Sequence, residues 1–245
     1  MNFRKGPAAF IAALLLWTIP AAFAGAAQVT GQVSVKAANG LARANRDATV
    51  VIWLIPRADQ AAFFPITHDE SPRPRLIQRN KTFDPHVLAV QVGSQVDFPN
   101  HDPFFHNVFS LFNGKRFDLG LYEAGSTRGV HFDRAGTCYI FCNIHPQMSA
   151  VVVVVDTPYF AVSDARGAVS IPHVPPGRYQ LNFWEEHCSP KALNELSQQI
   201  TVAESVTSLG SIRLQESEAP VTVHLNKYGK QYDPEVFSSP LYVQP

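Results

Sequence analysis

Apolar and polar residues alternate along most of this chain with the two-residue period of strands, and the 3.6-residue period of helices is almost absent. Strand-type runs fall at Gln32–Val35, Thr49–Ile55, Val87–Val92, Gln95–Phe98, Asn107–Phe112, Thr137–Cys142 and Ala150–Val155. Within the last of these, Val151–Val155 is apolar on both faces, the mark of a fully buried strand. Turns at Ala165-Arg166-Gly167 and Pro175-Pro176-Gly177 lead to an alternating run at Tyr179–Phe183. Two more strands are expected at Gln199–Val202 and Leu209–Leu214. Only Pro190–Gln199, with Ala192, Leu193, Glu195 and Leu196, reads as a short helix. The pattern predicts an all-β chain built as sandwiches.

Composition narrows this without changing it. Nineteen prolines and 14 glycines, scattered without period, suit short strands joined by turns. Twenty basic residues balance 20 acidic ones, so the charge points to neither nucleic acid nor an anionic membrane. A length of 245 residues allows one large core or two small ones.

The first 24 residues read as a secretory signal. Arg4 and Lys5 start it, Ala8–Trp17 is an apolar run short for a membrane span, and Ala22-Phe23-Ala24 fits a small-x-small cleavage rule. Cleavage is expected after Ala24, with Ala26 as second choice; an uncleaved anchor is the alternative. No later run has the length of a membrane span, so the expected product is an exported soluble protein, most simply a periplasmic one.

The densest chemistry lies in Cys142-Asn143-Ile144-His145-Pro146-Gln147-Met148. A thiolate, an imidazole and a thioether at spacing C-x2-H-x2-M suit one copper ion that alternates between Cu(I) and Cu(II). The chain has two methionines, and apart from Met1 the only one is Met148. A fourth ligand must come from upstream, where residues 100–110 offer His101 and His106. His106 is preferred, because it opens an alternating strand that can hold its ring rigidly. Phe104, Phe105, Phe109 and Phe112 are candidates for an apolar rim, with Phe109 and Phe112 better read as core.

Three cysteines in an oxidising compartment leave an odd one. Cys138 and Cys142 lie four apart on one expected strand, roughly 13 Å at the usual rise, which is too far for a disulfide. With Cys142 on a metal, Cys138 either pairs with Cys188 or stays a buried thiol; the thiol is the preferred reading. Trp184, Glu185, Glu186 and His187 form another possible ligand group, disfavoured because consecutive strand residues point to opposite faces.

Two resemblances follow. Residues 77–156 resemble the cupredoxins of the plastocyanin/azurin group, with an amicyanin-like copper loop. The matching residues are Gly93, Val96, His106-Asn107-Val108, Gly136-Thr137, Cys142, His145, Pro146 and Met148. The resemblance implies a Greek-key β-sandwich and a type 1 copper site with His106, Cys142 and His145 equatorial and Met148 axial. It also implies that Asn107 ties the two ligand loops together through its side chain, while Pro146 restricts the backbone next to His145. Residues 28–66 and 157–216 resemble a transthyretin-like or carboxypeptidase-regulatory-like sandwich, through Asp164, Gly167, Val169, Ile171, Pro175, Pro176, Gly177, Tyr179 and Leu181. The combination is similar to methylamine-utilization-type cupredoxin-domain proteins of the periplasm.

These readings place the copper segment as an insertion in a discontinuous sandwich, entered through a linker at Thr67–Arg79 and followed by a tail at 217–245. Three modules in a row is the alternative; a lone hairpin at 28–56 would be marginal in water. The expected function is periplasmic electron transfer with a redox partner protein, without an enzymatic reaction. The alternative is copper binding, trafficking or sensing. No paired His-x-His motif for further coppers exists, which removes multicopper oxidase chemistry.

Overall fold

A computed structural model describes residues 27–39, 49–57, 72–111, 115–217 and 225–232. The expected signal segment, Phe112 and residues 67–71 of the expected linker lie outside these.

The described residues are all-β apart from one short helix. In chain order the strands are β1 (Ala27–Lys36), β2 (Val51–Pro56), β3 (Ile77–Arg79), β4 (Thr82–Asp84), β5 (Val87–Gln91), β6 (Gln95–Pro99), β7 (His106–Ser110) and β8 (Phe117–Tyr122). There follow β9 (Thr127–His131), β10 (Gly136–Phe141), β11 (Ser149–Val155), β12 (Phe160–Val162), β13 (Ala168–Val174) and β14 (Gly177–Trp184). Helix α1 (Pro190–Leu196), β15 (Gln198–Val202) and β16 (Thr207–Gln215) complete the order.

Two groups of strands pair separately. In the first, β13-β1-β16 and β12-β2-β14-β15 form two sheets around one apolar cluster. Alternation decides what enters it: Val29, Val33 and Val35 point inward from β1, and Leu181 and Phe183 from β14. Asp164 shapes the turn before β13 by accepting the N–H groups of Arg166 and Ala168, both at 2.8 Å. Helix α1 starts at Ser189, whose hydroxyl accepts the Ala192 N–H, and it buries Leu193 against the cluster. The helix stops at Leu196 rather than Gln199, because Gln198 already pairs with Leu181.

In the second group, the sheet β5-β11-β10-β7-β8 covers the pairs β3-β4 and β6-β9. The pairs are joined by bridges at Arg75–Asp97 and Gln78–Asn100. Val90, Val108, Cys138, Ile140, Val152 and Val154 from the large sheet meet Phe83, Val96, Phe98, Val130 and Phe132. Strand β3 arises inside the stretch expected as linker. A tight turn at Asn80-Lys81, both residues at positive φ, folds it onto β4, the geometry that suits a twisted hairpin.

Strand β11 explains its own composition. Val152 and Val154 enter the core just described, while Val151, Val153 and Val155 join a third cluster with Val51, Val87 and Trp184. Both faces are therefore dry, as the unbroken apolar run predicts.

Candidate metal centre

The ligand loop is closed by its own backbone. Strands β10 and β11 pair up to Phe141–Ser149, and the next residues inward are Cys142 and Met148. The Cys142 N–H donates to the Met148 carbonyl at 3.2 Å, and the Met148 N–H donates to the His145 carbonyl at 2.9 Å. Cys142 and Met148 are fully buried and His145 is 4 % exposed. Three of the expected ligand residues thus share one tight, dry turn.

His106 reaches this turn from a second loop that a buried amide folds. The Asn100 side chain accepts the Asp102 N–H at 3.0 Å and donates to the Phe104 carbonyl at 2.8 Å, which curls residues 100–105. That curl places Asp102 beneath His106. The Asp102 carboxylate accepts the N–H groups of Asn80 at 2.6 Å and Lys81 at 3.0 Å, and meets His106 Nε2 at 2.8 Å. The carboxylate holds the proton on Nε2, so Nδ1 presents its lone pair to the other ring and the thiol.

Around that lone pair the spacing is that of a coordination sphere. His106 Nδ1 lies 3.7 Å from Cys142 Sγ, His145 Nδ1 lies 3.6 Å from the same sulfur, and the two nitrogens are 3.1 Å apart. Metal–nitrogen bonds of about 2.0–2.1 Å and a metal–sulfur bond near 2.3 Å put neighbouring ligand atoms roughly 3.1–3.8 Å apart. The donors therefore fit one ion, and the soft sulfur with two imidazoles suits copper.

Protonation states agree. Burial pushes the His145 imidazole down to about 4, helped by its neighbour His106. Burial also lowers His106, against the upward pull of Asp102. Both rings are thus neutral near pH 7, as ligands must be. Burial opposes ionisation of Asp102 too, but the N–H groups of Lys81 and Asn80 and the His106 ring outweigh it and hold the carboxyl below its usual range. The Cys142 thiol is raised by burial, although backbone N–H groups of Asn107, Ile144 and His145 point at its sulfur and favour the thiolate.

The other expected residues fall out as follows. His101 is exposed and contacts Arg79 at 3.1 Å, away from the cluster. Phe104 is half-buried and packs on both site histidines, with centroids 5.2 Å from His106 and 5.6 Å from His145. Phe105 is exposed, and Phe109 is fully buried, as its strand position predicts. Pro146 is half-buried in the loop beside His145.

One expectation needs correction. The Asn107 side chain does not bond the second ligand loop; it donates to Asp118 on β8 at 2.7 Å, the neighbour that strand pairing puts within reach. The loops are linked by the Asn107 backbone N–H, which points at the Cys142 sulfur, and by the carboxy-terminal segment. Lys227 Nζ contacts Asp118 at 2.9 Å, and the Lys227 N–H donates to the Asn143 side chain at 3.0 Å. Nearby, the Tyr232 hydroxyl donates to the Cys142 carbonyl at 3.2 Å. Of the two readings open for Cys138, the structure has the buried thiol: Cys138 and Cys188 are both free and sit in separate apolar clusters. Cys138 contacts the Ser110 hydroxyl at 3.2 Å, and Cys188 contacts the Gln215 carbonyl at 3.3 Å.

Sequence reasoning overlooked Asp102 and Asn100. A polar pair just ahead of a candidate histidine was the available signal, and its meaning depended on a curl that only the folded loop displays.

No family model matches this chain, and no curated protein matches it. Solved structures match about a third of it. A copper-containing nitrite reductase from Thermus scotoductus SA-01 is 23% identical over 34% of this chain and 22% of its own, with a TM-score of 0.33. This chain thus spans about a fifth of that enzyme's length. A purple cupredoxin from Nitrosopumilus maritimus is 24% identical over 34% of this chain and 99% of its own, at TM-score 0.31. A mutant amicyanin in its Cu(I) form is 22% identical over 34% and 82%, at TM-score 0.32. At such scores the functional reading rests on this chain's own residues. Among the described residues no helix is long and apolar enough to cross a membrane.

Proposed function

We propose that this chain is a periplasmic type 1 copper protein that passes single electrons to and from a partner protein. His106, Cys142 and His145, with Met148 beside them, would hold the ion. The observation that carries the reading is the convergence of two neutral imidazole nitrogens and a thiol within 3.1–3.7 Å in a dry end of a β-sandwich. Bound copper supplies one-electron chemistry between Cu(I) and Cu(II).

The residues explain why little needs to move when the charge changes. Asp102 locks the His106 ring, and the β10–β11 pairing with the Met148–His145 turn locks the rest. A donor set fixed before the ion arrives is a compromise between the geometries preferred by the two oxidation states, which keeps rearrangement small. Backbone N–H groups directed at the sulfur stabilise its anionic form. Phe104 covers both imidazoles and excludes water. Burial of all three donors also speaks for retention of the ion rather than its delivery elsewhere.

The test is optical. Cu(II) added to the exported chain should give an intense visible thiolate-to-copper band and a narrow EPR hyperfine splitting, and Cys142→Ser should abolish both. A colourless wild-type protein, or colour that survives Cys142→Ser, would overturn the assignment. Rapid electron self-exchange with negligible copper release would support the carrier role; fast release would favour trafficking.

A further inference from the structure

A second convergence of ligand-type side chains lies outside the His106 cluster. One ligand atom each from Glu185, His187 and Glu216 falls within 4.8 Å of the others. Consecutive strand residues would point apart, which is why the sequence disfavours a site here. That objection does not reach Glu185 and His187, which are two positions apart, just beyond the end of β14 at Trp184. Glu185 and His187 come to the same side, and Glu216 arrives from just beyond β16. The Ser217 N–H donates to the His187 carbonyl at 3.0 Å, which fastens the two chain segments together beside the three side chains.

The burial is uneven in an informative way. Glu185 is 2 % exposed, whereas His187 is exposed and Glu216 half-buried. A carboxylate so deep needs compensation. It accepts the His187 N–H at 2.8 Å and faces His187 Nδ1 at 3.4 Å. That second distance is long for a hydrogen bond. It is close to the roughly 3.3 Å that separates two ligand atoms on one tetrahedral ion with bonds of about 2.0–2.1 Å. The cluster opens on a cavity of about 510 Å³ lined by Tyr139, Trp184, Glu185, His187 and Ser217 among others, so an ion has a way in and solvent can complete its shell.

We propose that Glu185, His187 and Glu216 bind a divalent cation of the zinc type, separately from the copper ligands. Two carboxylates and one imidazole are hard-to-borderline donors, which select against Cu(I). Calcium and magnesium prefer an all-oxygen shell, which an imidazole among the ligands does not suit. Cys188 is not among the converging ligand atoms, and its sulfur contacts the Gln215 carbonyl at 3.3 Å. The site is thus three-coordinate from protein, with positions left for water or a small anion from the cavity.

The test is zinc stoichiometry in the full exported chain and in two variants, His187→Ala and Glu216→Gln. Each protein is incubated with Zn(II), passed through gel filtration and assayed for metal by atomic emission; affinity follows from calorimetry. The difference between wild type and variant reads this site alone, whatever the His106 cluster holds. Wild type should retain one equivalent more than either variant, and the variants' Kd at this site should rise more than about tenfold, since even outer partners of a ligand are worth that much. Glu216→Gln is nearly isosteric, so it keeps the comparison readable if His187→Ala disturbs the fold. Equal zinc content in all three proteins overturns the proposal.

Discussion

The two strand groups use the same alternation to make their cores, yet they differ sharply in what they bury besides carbon. The group built from β1, β2 and β12–β16 encloses valines, leucines, isoleucines and aromatics, and its buried carboxylate is Glu185 at one end. The group from β3 to β11 buries Gln78, Asn100, Asp102, His106, Asn107, Ser110 and His145. Each such group costs free energy unless it finds a partner. Nearly all of these find one, and the chain of contacts leads to the same place: Asn100 curls a loop, the loop seats Asp102, and Asp102 orients His106. Polar burial concentrated in one sandwich marks where stability is given up for a positioned site.

The comparison breaks most forcefully at Leu181, which is fully buried in the apolar group. Leu181→Ala should lower stability by about 2–5 kcal/mol in urea unfolding. It should leave the visible copper band of the remaining folded protein unchanged. A shifted band would mean that the two cores are coupled far more tightly than their separate clusters imply.

The reverse experiment is Asp102→Ala. It should weaken copper binding by roughly 10–100-fold in a competition assay, since it frees the His106 ring, and shift the visible band. Its cost to stability should be smaller, about 1–3 kcal/mol, from the stranded N–H groups of Asn80 and Lys81. If affinity stayed at the wild-type value, Asp102 would be part of the loop's structure and nothing more.

The mildest effect concerns a contact between the groups. His86, just ahead of β5, meets Glu186 at 2.7 Å, and its other ring nitrogen faces the Ser149 carbonyl at 3.2 Å. The Glu186 hydrogen bond raises the His86 pKa above 6.5, against partial burial. A raised imidazole contributes fully below the unfolded pKa, and the contribution disappears as pH climbs through the folded value. Wild type should therefore exceed His86→Gln in stability more at about pH 5.5 than at about pH 8.5, by less than roughly 1 kcal/mol for so exposed a pair. A difference that grows with pH would contradict this linkage.

Much of this was legible in the residues. The doubly apolar run at Val151–Val155 predicts its two dry faces, and the helix starts at Pro190 where the sequence places it. Strands β8 and β9 were not: Gly120 interrupts one, and the burial pattern of the other shows a single inward side chain at Val130. Hairpin β3–β4 hid in a charged stretch because its strands are three residues long and depend on a turn for their pairing.

By itself the sequence determined the all-β class and named His106, Cys142, His145 and Met148, because strand alternation and ligand chemistry are properties of nearby residues. Tertiary structure decided what distance along the chain conceals. It set Asp102 under His106, kept Cys138 away from Cys188, and sent Asn107 to Asp118 instead of the second ligand loop. It also brought Glu216 to meet Glu185 and His187. The reason is physical: a side chain's type travels with the chain, but its partners depend on loops that close only once both sheets have packed.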